Sequence, residues 1–466
     1  MKKLLTLMLA IILCASCFAG CNDKKTASSG DVTVIEVTTT EAGAQAAYEK
    51  LVEEYNATEG KEKGIEIKWT TTTDSNAIDV SQMNGKLPHI FMGNGNQREK
   101  FVKNGDVMAI NDLPGGEEFL ADFNQEGTEG DNLIDGKTYF IYPTVRNAGL
   151  AYNKELFKKA GLVDEKGEAL PPKTLSEVVE YAKKLTDTKN QIYGFAFPLK
   201  WGVSYTVSSP LASYYDGFTP ETSQIYTDLD TLTVTAPNHK EQYQWLFDMK
   251  KAGSLFPGAD TLDNDTARAY FSQGKVGMIP AVSWDVGVYT SQFIPNFEWG
   301  ICQYPAPDGR ELYKHWNQRG ASMMISNKAK EAPEETMEVF KFIYSLETRT
   351  AIFEEGINLS MKTDVLEVYD KDKVSPQFAQ FAEFVDETNR YAKNESYTYE
   401  GDNWATLFQK AWGGNLTLDQ AIAQYEKNAT DSLRRGVKKG DYDVERQKRV
   451  KRYLKGEDGL DLSLTH

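Results

Sequence analysis

Residues 32–69 read VTVIEVTTTEAGAQAAYEKLVEEYNATEGKEKGIEIKW, and two periodicities inside this stretch decide the fold class. Eight of the first nine residues are β-branched, the composition of a strand. Ala46, Ala47, Leu51, Val52 and Tyr55 then recur at three- and four-residue spacing, which puts them on one face of a helix. The segment GIEIKW (64–69) returns to strand periodicity, and LPHIFM (87–92) supplies a third strand. Strand, helix and strand in succession predict an α/β protein with parallel-type sheets covered by helices.

Outward from this stretch the same alternation continues. PKTLSEVVEYAKKLT (172–186) carries a capping box: Thr174 caps the helix and Glu177, three residues on, reaches back. Thr417 and Gln420 repeat the device in LTLDQAIAQYEKNA (416–429). Before Val32 the chain is different. Lys2 and Lys3 precede an apolar run from Leu4 to Ala19, too short to span a bilayer and ended by small residues, the pattern of an export signal. Residues 1–20 are expected to be that signal, and CNDKKTASSGD (21–31) is a polar tether with nothing to bury.

Composition narrows the function. The chain has 466 residues, enough for two domains after a signal is removed. Its net charge of -16 opposes binding to nucleic acid or, by charge alone, to anionic lipid. Cys14, Cys17 and Cys21 lie in or at the end of the signal, so Cys302 is expected to be a lone, buried, inert thiol without a disulfide partner. The four histidines lack metal spacing, and no HExxH, CxxC or G-x-S-x-G occurs. GDNLIDGKT (130–138) has five residues where a phosphate loop has four, two of them Asp, and reads as a turn. No cofactor and no metal are assigned, and no catalytic residue is found.

The informative segments come in an ordered series: LPHIFMGNGNQREKFVKNGDVMAIND (87–112), DGKTYFIYPTVRNAGLAYNKELFKKAGL (135–162), ARAYFSQGKVGMIPAVSWDVG (267–287) and HWNQRGASMMISNKAK (315–330). In this order they resemble the sugar-binding family of extracellular solute-binding proteins of ABC importers, the maltose-binding type. FAGC (18–21) resembles a lipobox, with Phe18 where Leu is usual, which implies a lipid on Cys21 anchoring the exported chain to the cell membrane. The resemblance implies a non-enzymatic, monomeric, two-lobed protein that closes on a carbohydrate, an oligosaccharide by expectation, and hands it to permease subunits. The implied lobes are 32–144 plus about 321–376, and about 146–318 plus 378–466. Crossings between them are expected near Thr144–Ala148, Asn317–Ala321 and Gln377–Asp386.

The same resemblance implies the ligand-binding residues. Trp284 takes the place of the stacking tryptophan after the Gly-Met strand, with Asp285 beside it, and Trp404 that of a second platform on a late helix. Thr40, Glu41, Asn94 and Asn96 match positions that hydrogen-bond sugar hydroxyls. Tyr205 and Trp316 are further aromatic candidates. Arg146 falls where the family has a carboxylate, which leaves a charged sugar open. Two alternatives stay open at this level: the same fold holding a non-sugar solute, and a secreted carbohydrate-active enzyme.

Overall fold

The computed structural model describes residues 32–448, apart from 42–43, 75, 94, 124–131, 203–206, 208–210, 212–225, 311–317, 320–321, 357 and 386–397. Cys21 and the tether lie outside the described residues.

Two large sheets organise the chain from Thr33 onward. The first is built around the strand Thr33–Thr39, which pairs in parallel with Ile65–Thr71 on one side and with Ile90–Gly93 on the other. Ser322–Ser326 then adds antiparallel to Ile90–Gly93, and Val107–Met108 closes the edge. The inward residues Ile35 and Val37 are fully buried, as are Ile90 and Ile325, which is why the alternation at 32–39 holds one register. The helix Gln45–Ala57 buries Ala47, Val52 and Tyr55 of the expected face, but Ala46 is exposed, Leu51 is half-buried and Tyr48 is buried in addition, so the buried stripe is rotated slightly from the one the spacing suggested. The helix Pro333–Tyr344 packs Val339, Phe340 and Ile343 into the same core.

The second sheet has the order Trp299–Gln303, Ala148–Asn153, Val276–Val282, Tyr193–Phe195. Only its last pair is parallel; Ala148–Asn153 runs antiparallel to both neighbours. Every residue of Val276–Val282 is buried, so this strand reads as a continuous apolar run rather than an alternation. The helix Leu175–Leu185 covers the sheet and starts with the expected capping box, Glu177 N–H donating to Thr174 Oγ1 at 3.2 Å. Gly194 is required beneath it: a Cβ there would lie 2.0 Å from the carbonyl oxygen of Ala182. The Thr417–Gln420 box forms as well, at the head of the 22-residue helix Leu418–Lys439.

A third, three-stranded sheet joins Gln318–Arg319, Thr144–Arg146 and Leu359–Ser360, all antiparallel. The chain leaves Thr144–Arg146 and enters the second sheet after one residue, Asn147. Of the three expected crossings, two fall on strands of this small sheet. The third position differs: residues 376–383 form a helix whose Gln377 and Gln380 bond the backbone of Trp299 and Ile301, and the third strand is Leu359–Ser360. The apolar faces of Phe378 and Phe381 on that segment drive it onto the sheet as a helix. One hydrophobic cluster runs from Phe91, Phe140 and Met324 to Ile279, Ile301 and Phe381, tying both large sheets together.

The turn expected within GDNLIDGKT is the two-residue turn of a tight hairpin. Leu133–Ile134 pairs with Lys137–Thr138 across Asp135 and Gly136, both at positive φ. Cys302 is buried, and that burial pushes its thiol up to about 12, so it stays protonated and unreactive. Among the described residues no helix is long and apolar enough to cross a membrane, and no group of His, Cys, Asp or Glu could hold a metal ion.

Candidate functional site

The carboxyl ends of Thr33–Thr39 and Ile65–Thr71 point the same way, because the two strands are parallel and in register. Loops leaving such ends are where open α/β sheets hold ligands. Glu41 sits just past the first end, fixed by its backbone N–H donating to Thr39 Oγ1 at 3.1 Å. Two groups at the small third sheet act on its carboxyl: the Asn358 amide, hydrogen-bonded to it from the residue before Leu359–Ser360, and the charge of the Arg146 guanidinium. Burial pushes the carboxyl up to about 6, against the opposing pull of Arg146 and Asn358. Its Oε1 is buried without a hydrogen-bond partner among the described residues.

Arg146 also meets Trp284. Its guanidinium lies over the indole at 5.3 Å from the ring centroid. Trp284 is half-buried at the turn that ends Val276–Val282 and opens the helix Asp285–Ser291. The turn is held by Asp285, whose carboxylate accepts the Val282 N–H at 2.8 Å and pairs with Arg268. Glu41, Arg146 and Trp284 are thus brought together from three segments more than a hundred residues apart at their widest. The arrangement offers an aromatic face, a cation and a partly protonated acid.

The remaining predicted residues divide. Asp285 is 2% exposed and engaged by Arg268, so it anchors the platform rather than facing a ligand. The Thr40 hydroxyl contacts Met92 Sδ at 3.2 Å. Trp404 is packed, 5% exposed, with His239, Tyr243, Phe408 and Tyr425 around it. It lies in the core that also holds Trp412 and Leu407, because the helix Trp404–Trp412 turns its apolar face inward. Asn94, Tyr205 and Trp316 lie outside the described residues. Asn96 falls in the helix Gly95–Asn104, and its side chain is outside the description too.

The structure adds residues that the sequence did not single out. Tyr48 stacks on Trp69 at 4.5 Å, and Glu41 is one of the charges that hold its phenol above the ordinary range, after burial itself. Trp69 Nε1, Thr71 Oγ1 and Thr144 Oγ1 are buried polar atoms with no partner among the described residues. Trp69 and Thr71 lie toward the carboxyl end of Ile65–Thr71, and Thr144 opens Thr144–Arg146. Behind them Arg349, on the helix Leu346–Glu354, grips Asp364 with two bonds of 2.5 and 2.8 Å and donates to Ser360 Oγ at 3.2 Å. That clamp fixes the short strand next to Asn358. Asn358 itself could be recognised only through the fold, since no local pattern marks it.

With this geometry in place, comparison with known proteins is informative. The family model for bacterial extracellular solute-binding proteins matches residues 38–349. A maltotriose-binding protein of Pyrococcus abyssi is 23% identical over 270 residues, 57% of this chain and 52% of that protein. An sn-glycerol-3-phosphate-binding periplasmic protein of Brucella abortus is 32% identical over 161 residues, 34% of each chain. The chain thus aligns with about half or less of the length of these curated relatives. Among solved structures, apo RafE of Streptococcus pneumoniae superposes with a TM-score of 0.67 at 14% identity, covering 89% of this chain and all of that one. The cyclic alpha-maltosyl-1,6-maltose binding protein of Arthrobacter globiformis gives 0.60 at 19% identity, covering 87% and 100%. The fold is shared with both, and the chain belongs to the bacterial extracellular solute-binding proteins.

Proposed function

We propose that this chain captures a carbohydrate outside the cytoplasm and delivers it to the permease of an ABC importer, without chemical turnover. The observation that carries the reading is the half-buried Trp284 face, set beside Arg146 and Glu41 where strand ends of the two large sheets converge on the small third sheet. A sugar ring presents an apolar face for the indole and hydroxyls for the acid, the guanidinium and the unpartnered polar atoms around them. A relative named as a maltotriose-binding protein, and a structural neighbour solved with raffinose, support the class.

In this reading the small sheet is the hinge, with lobes on either side of it, and ligand draws the lobes together by favouring the closed state. Lipid on Cys21 keeps the protein near its permease, and the protein acts as a monomer. A second reading, an anionic solute such as a polyol phosphate, is favoured by Arg146 and by the glycerol-phosphate-binding relative. Against it, Arg146 is already opposed by Glu41 and engaged by Trp284.

A thermal-shift screen of the mature chain distinguishes the two readings. Neutral oligosaccharides, sn-glycerol 3-phosphate and amino acids are compared. Ligand at 100 times Kd adds about 2.7 kcal/mol of stability, an easily measured rise in melting temperature. Stabilisation by the phosphate alone would replace the carbohydrate reading with the anionic one.

A further inference from the structure

Trp284 takes its place from a turn with little backbone to hold it. It follows the strand Val276–Val282 by two positions and is the N-cap of the helix Asp285–Ser291, with no capping bond from its side chain. Between the strand pairing and the helix itself, two backbone bonds fix the turn. Ser283 N–H donates to the Asn147 carbonyl oxygen at 2.9 Å, and Val286 N–H to the Ser283 carbonyl oxygen at 3.4 Å. The second is long enough to be weak. The remaining tie is a side chain: Asp285 Oδ2 accepts the Val282 N–H at 2.8 Å and closes residues 282–285 with Trp284 among them.

A buried carboxylate does not serve this way alone. Burial pushes the Asp285 carboxyl up from the ordinary range, and the charge of Arg268 opposes that push. Arg268 reaches it from the helix Asn264–Ser272, which precedes the strand. Its Nη2 donates to Asp285 Oδ1, and its Nη1 to Asp265 Oδ1 at 2.8 Å. The side chain of Asp285 is 3% exposed and that of Asp265 72%, so water screens the second pair and not the first. Aromatic packing keeps the pair in reach. Phe271, one turn beyond Arg268, meets Tyr289 of the helix after the turn at 5.4 Å between ring centroids, and Tyr289 meets Trp299 at 5.2 Å. From Arg268 through Asp285 to the Val282 N–H, a line of charged contacts thus runs from a packed core to the turn that carries Trp284.

We infer that Arg268 is a positioning residue: through Asp285 it holds the Trp284 indole beside Arg146, and so sets carbohydrate affinity without touching the sugar. The inference rests on the carbohydrate reading above. Without Arg268, Asp285 is a buried charge with no partner, which takes up a proton or turns away. The Val282 N–H then loses its charged acceptor, and the turn no longer fixes the indole. A binding side chain whose support is loose binds poorly even where the fold survives.

The test is a double-mutant cycle on the mature chain, with maltotriose and raffinose as probes, in wild type, Arg268→Met, Trp284→Ala and the two together. Kd is measured by calorimetry well below each melting temperature. The emission of Trp284 is isolated by subtracting from each protein the spectrum of its Trp284→Ala counterpart. Arg268→Met should raise Kd about tenfold where Trp284 is present and less than about twofold where it is absent. It should also move the Trp284 emission to longer wavelength. A rise by the same factor in both backgrounds, an unchanged Kd, or an unchanged emission overturns the inference. Should Arg268→Met fail to fold, Arg268→Met/Asp285→Leu leaves neither charge unpaired and goes through the same cycle under the same criteria. Wild type that binds neither sugar sinks the carbohydrate reading separately, and the emission comparison then decides alone whether Arg268 places the indole.

Discussion

Trp284→Ala separates a binding tryptophan from a packing one. The indole is half-buried, with Arg146 over one face, so the variant loses a cation–π contact and part of a packing surface. At a partly exposed site that contact is worth about 0.5–1 kcal/mol, and the whole unliganded cost should be about 1–2 kcal/mol. Ligand loses more. A sugar face covering on the order of 100 Å² of indole removes about 2.5 kcal/mol of burial free energy when the ring is deleted. That corresponds to roughly a seventyfold rise in Kd. The comparator is Trp404→Ala, buried between His239 and Phe408, where truncation should cost about 3–5 kcal/mol of stability. Scanning fluorimetry and titration calorimetry on both variants give four numbers. Trp284→Ala should melt near wild type and bind at least tenfold more weakly, and Trp404→Ala should melt far lower. The reverse order of melting temperatures would refute the placement of both tryptophans.

Protonation gives two opposed windows. Glu41 has a folded value of about 6, above its ordinary 4.5, so the native state holds the extra proton between them and stability falls as pH rises through that window. Glu41→Gln should therefore gain stability relative to wild type above pH 6 and not below 4.5, as chemical denaturation at several pH values will show. His239 runs the other way: burial lowers it from 6.5 to about 3, so its contribution is lost as pH falls through that window. His239→Phe should flatten acid destabilisation in the same titration. Arg349→Met leaves Asp364 without its partner and loosens the strand beside Asn358; a loss of about 2 kcal/mol is expected, discounted because Asp364 is partly exposed. Cys21→Ala should abolish incorporation of labelled palmitate, and persistent labelling would place the lipid elsewhere.

The strand–helix–strand opening was legible because its two periodicities are local and each is backed by burial: Val37 at 0%, and Tyr48, Val52 and Tyr55 on one helical face. Both capping boxes were legible for the same reason, a three-residue device needing no distant partner. The antiparallel insertion of Ser322–Ser326 into the first sheet was not, since a fully buried strand looks the same in either direction. Leu359–Ser360 was missed because two residues leave no period to read. At the site, Arg146 and Trp284 were visible through ordered family segments, and their contact joins them across 138 positions. Trp404 resembled a platform by position, but whether a tryptophan packs or displays depends on Tyr243 and Tyr425, which the local segment does not contain.

The most direct test is a calorimetric titration of the mature chain with the carbohydrate that best stabilises it, followed by chromatography of the recovered sugar. The account predicts saturable one-to-one binding, at least tenfold weaker in Trp284→Ala, with the sugar returned unchanged. Binding of undiminished strength in that variant, or a cleaved sugar, would contradict it.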